Sequence, residues 1–213
     1  MGSLTIAAVD TPTCSHASQR RKPRIINSPP DMHEHPNQTR LVIRPSTSDD
    51  IPAFASIYAH AVQSGTGSFE LEAPDATEMA RRRDDVLAKQ LPWLTAHSGA
   101  EVLGYAYAGL FRPRRAYRFS VEDSIYIAPH ARGRGVGRLL LAELIARCEA
   151  LGARQMLAVI GDSANQASVA LHLAQGFEPV GTFKDVGHKF GRWLDVVLMQ
   201  RSLGPGARTD PPP

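Results

Sequence analysis

Arg132-Gly133-Arg134-Gly135-Val136-Gly137 is the stretch of this chain best suited to hold a charged ligand, and it lies between Ser124-Ile125-Tyr126-Ile127 and a long apolar segment. Three alternating glycines leave backbone N–H groups unshielded, and a helix starting there adds the positive end of its dipole. The result is an anion cradle with arginines 132, 134 and 138 around it, and a pyrophosphate is its natural guest. A glycine-rich turn also arises wherever a chain needs positive φ angles or close packing. Two familiar phosphate motifs do not fit. The dinucleotide fingerprint spaces its glycines differently and needs an acidic residue about twenty positions on, and the Walker loop ends in Gly-Lys-Ser/Thr, a triplet absent here.

The elements that must position this turn follow from periodicity. Leu41-Val42-Ile43-Arg44 is a short strand closed by Pro45, and Ile51, Phe54, Ile57, Tyr58 and Val62 recur at helical spacing up to Gly65. Asp75 starts a second helix running to about Gln90, whose Arg81-Arg82-Arg83 run reads as a wet face. From Pro92 the period changes to that of strands: Trp93 to Ala96, Val102 to Leu110, and Tyr117 to Ile127. After the glycine turn, Val136, Leu139, Leu140, Leu144, Ile145, Cys148 and Leu151 form the core stripe of a helix stopped by Gly152. Met156 to Ile160 is a strand, about 164 to 174 a helix, and Glu178 to His188 and Trp193 to Arg201 two further strands. This order predicts an α/β (α+β) sandwich with a mixed sheet.

With 213 residues, 43% of them hydrophobic, the chain suits one domain with extensions. Residues 1–38 mix Pro, Ser, Thr and His and read as a disordered N-terminal extension, 39–203 as the domain, and 204–213 as a disordered C-terminal tail. Arg20-Arg21-Lys22-Pro23-Arg24 reads as a solvated cluster, and His16, His33 and His35 as a chance grouping without a metal. Twenty-four basic against 21 acidic residues is no nucleic-acid-binding excess. No apolar run is long enough for a membrane span and no secretory signal is visible, so the cytoplasm is expected. Cys14 and Cys148 make neither a disulfide framework nor a metal spacing.

Ile125-Tyr126-Ile127, Arg132-x-x-Gly135-x-Gly137, Asn165-x-x-Ser168-x-x-x-His172 and Gly176-Phe177 together resemble the acetyl-CoA-binding half of the GCN5-related N-acetyltransferases. Pro92-Trp93-Leu94, Gly104 to Gly109, Val121-Glu122-Asp123-Ser124 and Gly187 to Asp195 resemble the phosphinothricin and methionine-sulfoximine acetyltransferase branch. The resemblance spans roughly residues 40 to 203. It implies a mixed, mostly antiparallel central sheet flanked by helices, acetyl-CoA as co-substrate, a small-molecule amine as acceptor and a homodimer.

By the same resemblance, residues Arg132, Gly133, Arg134, Gly135, Val136 and Gly137 would hold the pyrophosphate. Ile125, Tyr126 and Ile127 would offer backbone groups to the pantetheine arm as if to an added strand. Asn165, with Ser168 beside it, would hold the arm from the other side, although a helix cap is a comparable reading of Asn165. Glu122 matches the branch's general base, whereas its residue type alone would suggest a salt-bridged edge carboxylate. His172 matches a branch histidine that would protonate the leaving thiolate or orient the amine, with a capping or core histidine as the alternative. A backbone N–H near Ile127 would serve the oxyanion.

For the acceptor, Arg112 and Arg114 would bind a carboxylate. Phe69, Glu70, Tyr107, His188 and Trp193 would wall the pocket, and Asp123 and Arg115 would alter what it accepts. The expected function is acetyl transfer to the α-amino group of a small amino-acid-like substrate by direct attack, with no covalent enzyme intermediate. A peptide N-terminus, lysine or polyamine as acceptor, and a non-catalytic CoA-binding sensor, are the alternatives.

Overall fold

The computed structural model describes residues 40–211. The expectations for residues 1–38, including the basic run and the histidines, lie outside them. Seven strands form one sheet: β1 (Leu41–Pro45), β2 (Trp93–Ser98), β3 (Glu101–Leu110), β4 (Ser120–Ile127), β5 (Gln155–Gly161), β6 (Glu178–Lys189) and β7 (Arg192–Ser202). Their order is β1-β2-β3-β4-β5-β7-β6. Every neighbouring pair is antiparallel except β4 and β5. Helices α1 (Ile51–Ser64) and α2 (Ala76–Ala88) cover one face, and α3 (Val136–Ala150) and α4 (Gln166–Ala174) the other. This is the mixed, mostly antiparallel α/β architecture that the sequence predicts.

The faces follow from strand alternation. On β4, Tyr126 meets Tyr58 of α1 edge-on with centroids 4.8 Å apart, whereas Ile125 and Ile127 lie against Gly137 of α3. Phe54, Trp93 and Tyr105 pack ring on ring on the α1 side, each ring buried. On the α3 side, Leu140, Leu141, Leu144 and Cys148 are fully buried. Leu139 and Leu151, expected on that stripe, are half exposed and Leu141 takes their place. A 100° step per residue lets an apolar residue stand just off the buried stripe.

One further expectation changes. The strand expected from Tyr117 starts at Ser120, because residues Arg115–Tyr117 form a 3-10 turn. In the described part of the C-terminal stretch, Arg154, just before β5, donates to the carbonyl oxygens of Gly206 and Asp210 and to Thr209 Oγ1, beside the local bonds from the Gly206 N–H to the Leu203 carbonyl and from the Arg208 N–H to the Pro205 carbonyl.

Candidate active site

The parallel ladder between β4 and β5 runs only from Ser120↔Gln155 to Glu122↔Leu157. Beyond it β5 stays paired with β7 as far as Gly161, and β4 with β3 as far as Ile127. The two central strands therefore part at Glu122, and the edge of β4 from Asp123 to Ile127 has no ladder partner on the β5 side. Unpaired strand edges invite an extended guest. Ile125, Tyr126 and Ile127 lie along that edge, and Tyr126 turns its ring away toward Tyr58 and Tyr105.

At the C-terminal end of this edge the chain turns through Gly133 (φ 74°) and Gly135 (φ 78°) into α3. Both sit in the left-handed region that favours glycine, so the turn brings bare backbone to the helix N-terminus. Gly135 is the N-cap, and no side chain caps this helix end. Arg132, Arg134 and Arg138 are exposed around it. Open N–H donors, the positive helix end and three guanidinium groups fit a pyrophosphate.

Asn165 is the N-cap of α4: its Oδ1 accepts from the Ser168 N–H at 3.3 Å, so the cap reading holds. That bond uses only the carbonyl half of the amide, and Nδ2 lies beside Gly67. His172 is buried. Its Nδ1 donates to the Ser168 carbonyl at 2.7 Å, and its Nε2 stands 3.0 Å from Asp123 Oδ2. Burial works against its charge, but Asp123 and the Ser168 carbonyl outweigh that and raise its pKa. With both nitrogens engaged in the core, the ring has none left to offer a thiolate or an amine.

Glu122 and Asp123 diverge because neighbouring strand residues face opposite ways. Glu122 shares its face with Ser124 and lies near Tyr107, whose hydroxyl bonds Ser124. Burial, then the Asp123 charge, raises the Glu122 pKa, while Arg112 opposes the rise. A partly desolvated carboxylate where two strands part is a proton acceptor in waiting. Asp123, expected to alter the pocket, faces the other way and is buried below α4. Arg112 acts on Glu122 from the β3–β4 loop and stacks on Phe111, whereas Arg114 and Arg115 are exposed in that loop.

The loop between α1 and α2 covers the other side. Phe69 lies over Gly161 and Gly187, where a Cβ on Gly187 would come within 2.2 Å of its ring. Thr66 Oγ1 donates to Asp162, and the buried Lys189 donates to the carbonyls of Gly65 and Ser68 at 2.9 and 2.8 Å. Glu70, expected to wall the pocket, has its carboxylate occupied by Tyr58 and by two nitrogens of Arg82. Burial pushes its pKa up, but these donors hold it below the ordinary value. The arginine run is accordingly no simple wet face: Arg82 grips this loop and Arg83 reaches Ser46, leaving Arg81 as the surface member. Tyr107 stacks on Trp93 at 4.2 Å with its hydroxyl on the Glu122 side. His188 and Trp193 meet edge-on at the outer hairpin, both exposed.

Sequence reading missed Asp123 as the partner of His172 and Lys189 as the anchor of the loop. A pair 49 residues apart leaves no local signal, and Lys189 stands in a strand that also carries Lys184, Asp185 and His188, so nothing in its sequence neighbourhood marks it.

A sheet parted beside a carboxylate, with an anion cradle at its end, is the arrangement of an acyltransferase that takes a phosphate-bearing thioester. Residues 54–177 match the model of the acetyltransferase (GNAT) family. The chain is 56% identical over 169 residues to the phosphinothricin N-acetyltransferase of Alcaligenes faecalis, covering 79% of this chain and 86% of that one. It is 42% identical over 167 residues to the L-methionine sulfoximine/L-methionine sulfone acetyltransferase of Pseudomonas aeruginosa, covering 76% and 95%. The crystal structure of the Sinorhizobium meliloti phosphinothricin acetyltransferase with acetyl-CoA superposes with a TM-score of 0.78 at 46% identity, over 81% of this chain and 93% of that one. The chain belongs to the GNAT family and is an acetyl-CoA-dependent N-acetyltransferase.

Proposed function

We propose that this enzyme acetylates the α-amino group of a small amino-acid-like acceptor of the phosphinothricin or methionine sulfone/sulfoximine type, with Glu122 as general base. The observation that carries the base assignment is the end of the β4–β5 ladder at Glu122, which puts a carboxylate of raised pKa where an arm lying along β4 would end. The relatives named above favour the acceptor class. Acetyl-CoA, when bound, supplies an activated thioester carbonyl. The N–H groups of residues 132–137 would bind its pyrophosphate, and the edge from Ile125 to Ile127 would pair with its arm. Asn165 Nδ2 and Ser168 at the α4 N-terminus would border the arm from the far side.

Glu122 would take the proton that the acceptor nitrogen sheds as it bonds to the carbonyl carbon, directly or through one water, while the C–S bond breaks and CoA leaves as a thiolate that takes its proton from solvent. Arg112, close enough to lower the Glu122 pKa, would bind the acceptor carboxylate, with Arg114 at the rim and Phe69, Tyr107 and the Glu70 loop as walls. His172 takes no proton-transfer step in this reading. The assembly we propose is a homodimer, supported by Val180, Phe183, Val186, Phe190 and Trp193, all more than half exposed on the outer strand pair.

The test is thiol release from acetyl-CoA with phosphinothricin, methionine sulfone, free amino acids, polyamines and short peptides. The proposal expects turnover with the first two and intersecting initial-rate lines. Turnover confined to peptides or polyamines would overturn the acceptor class, and parallel lines the direct attack.

A further inference from the structure

Asp123 is the first residue of β4 beyond the ladder, and its side chain and that of His172 are each only 2% exposed. The ion pair crosses from β4 to α4, the helix that follows β5. It thus joins the two sides of the opening just where backbone pairing stops. His172 also organises its own helix end: its carbonyl accepts from the N–H groups of Gln175 and Phe177, and its ring meets Phe177 edge-on at 4.9 Å. The N-terminus of the same nine-residue helix carries Asn165 and Ser168. Asp123 Oδ1 is buried without a hydrogen-bond partner among the described residues. A carboxylate so placed costs free energy that the His172 bond only partly recovers.

We infer that Asp123 and His172 are a positioning pair, fixing α4 against β4 at the mouth of the acetyl-CoA site and keeping a balanced pair of charges behind Glu122. This rests on the reading of Glu122 as base and of the parted strands as the cofactor site. The charged and titratable groups around Glu122 are Asp123 on its own strand, Arg112 from the β3–β4 loop and Tyr107 from β3. Those facing the pair are Glu122 and, from α3, Cys148, whose thiol burial and the Asp123 charge push up to about 12. No other charge in this set balances Asp123 as closely as His172. Removing His172 therefore leaves Asp123 unbalanced behind Glu122, whereas removing Asp123 also discharges His172, which burial keeps neutral without its partner.

Three variants decide it: Asp123→Asn, His172→Gln and the double variant, each checked for folding by circular dichroism. In the first, burial discharges the imidazole once Asp123 is gone, and the acid limb of kcat/KM for methionine sulfone stays close to the parent. In the second, an uncompensated carboxylate moves that limb to higher pH. The shift in His172→Gln is roughly one pH unit, and the double variant returns close to the parent. The dissociation constant of acetyl-CoA, measured by equilibrium dialysis, rises about fivefold to tenfold in each single variant as α4 loosens, and less in the double.

An acid limb that stays in place in His172→Gln, or that moves equally in all three variants, in folded protein overturns the electrostatic half. Unchanged acetyl-CoA affinity in both single variants overturns the positional half. If Asp123→Asn does not fold, His172→Gln and the double variant, which leaves no buried charge alone, keep both measurements. Glu122→Gln run alongside separates the readings: a persisting acid limb removes Glu122 as base, while the acetyl-CoA affinities still judge the pair.

Discussion

Glu122 and Asp123 are adjacent carboxylates with opposite surroundings, because a strand turns successive side chains to opposite faces. The raised pKa of Glu122 sets the pH behaviour expected of it as the proposed base: a base works when ionised, so kcat/KM should fall as pH drops through that raised value. Glu122→Gln should lower kcat by roughly a hundredfold to ten-thousandfold with acetyl-CoA affinity unchanged, measured by initial rates and equilibrium dialysis. A second expectation concerns Arg112. Arg112→Ala should raise the acceptor KM by about tenfold or more with kcat little altered, since a lost charge-assisted hydrogen bond to a carboxylate contributes about 1.5–3 kcal/mol. Glu122, the proposed base, was singled out from its motif. The fate of His172 was not, because whether a histidine meets a ligand or a buried aspartate depends on a partner 49 residues away.

Two clamps hold the elements around the site. Asp50, at the start of α1, accepts from both terminal nitrogens of Arg44 in β1, from the Thr47 N–H and from Thr95 Oγ1 in β2. Burial pushes its pKa up, but these donors prevail and hold it at about 2. A depressed pKa gives stability that is complete above the unfolded value and lost as pH falls through about 2. Asp50→Ala should accordingly cost about 2–3 kcal/mol at neutral pH by urea denaturation, for it strands a guanidinium and a buried hydroxyl. The Lys189 clamp on residues 65–70 acts on function instead. Lys189→Met removes two hydrogen bonds that shape the loop bearing Phe69, and the acceptor KM should rise about fivefold with acetyl-CoA affinity unchanged. Element types and most boundaries were legible from periodicity. The long-range parts of the clamps were not, since Asp50 meets Thr95 45 residues on and Lys189 meets Gly65 and Ser68 more than 120 residues back.

At the scale of the whole molecule, the buried Asp123–His172 pair links folding to pH. The folded pKa of His172 is raised above its ordinary 6.5, so its contribution is complete below 6.5 and lost as pH rises through the folded value. Thermal midpoints should fall over that alkaline window, and the window should vanish in His172→Gln. A proposed dimer through the outer strand pair adds a second global expectation. Phe183→Asp together with Trp193→Asp should convert the dimer to monomer by light scattering, whereas a monomeric parent enzyme would exclude that interface. The sequence by itself determined the order of strands and helices, the anion cradle and the family resemblance, because these depend on local spacing and on residues in fixed register. Tertiary structure alone decided where β4 and β5 part, which face each carboxylate takes, that Glu70 is spent on Arg82 and Tyr58, and that His172 lies in the core. Those outcomes depend on packing between distant segments, where burial and charge partners are set by the whole fold.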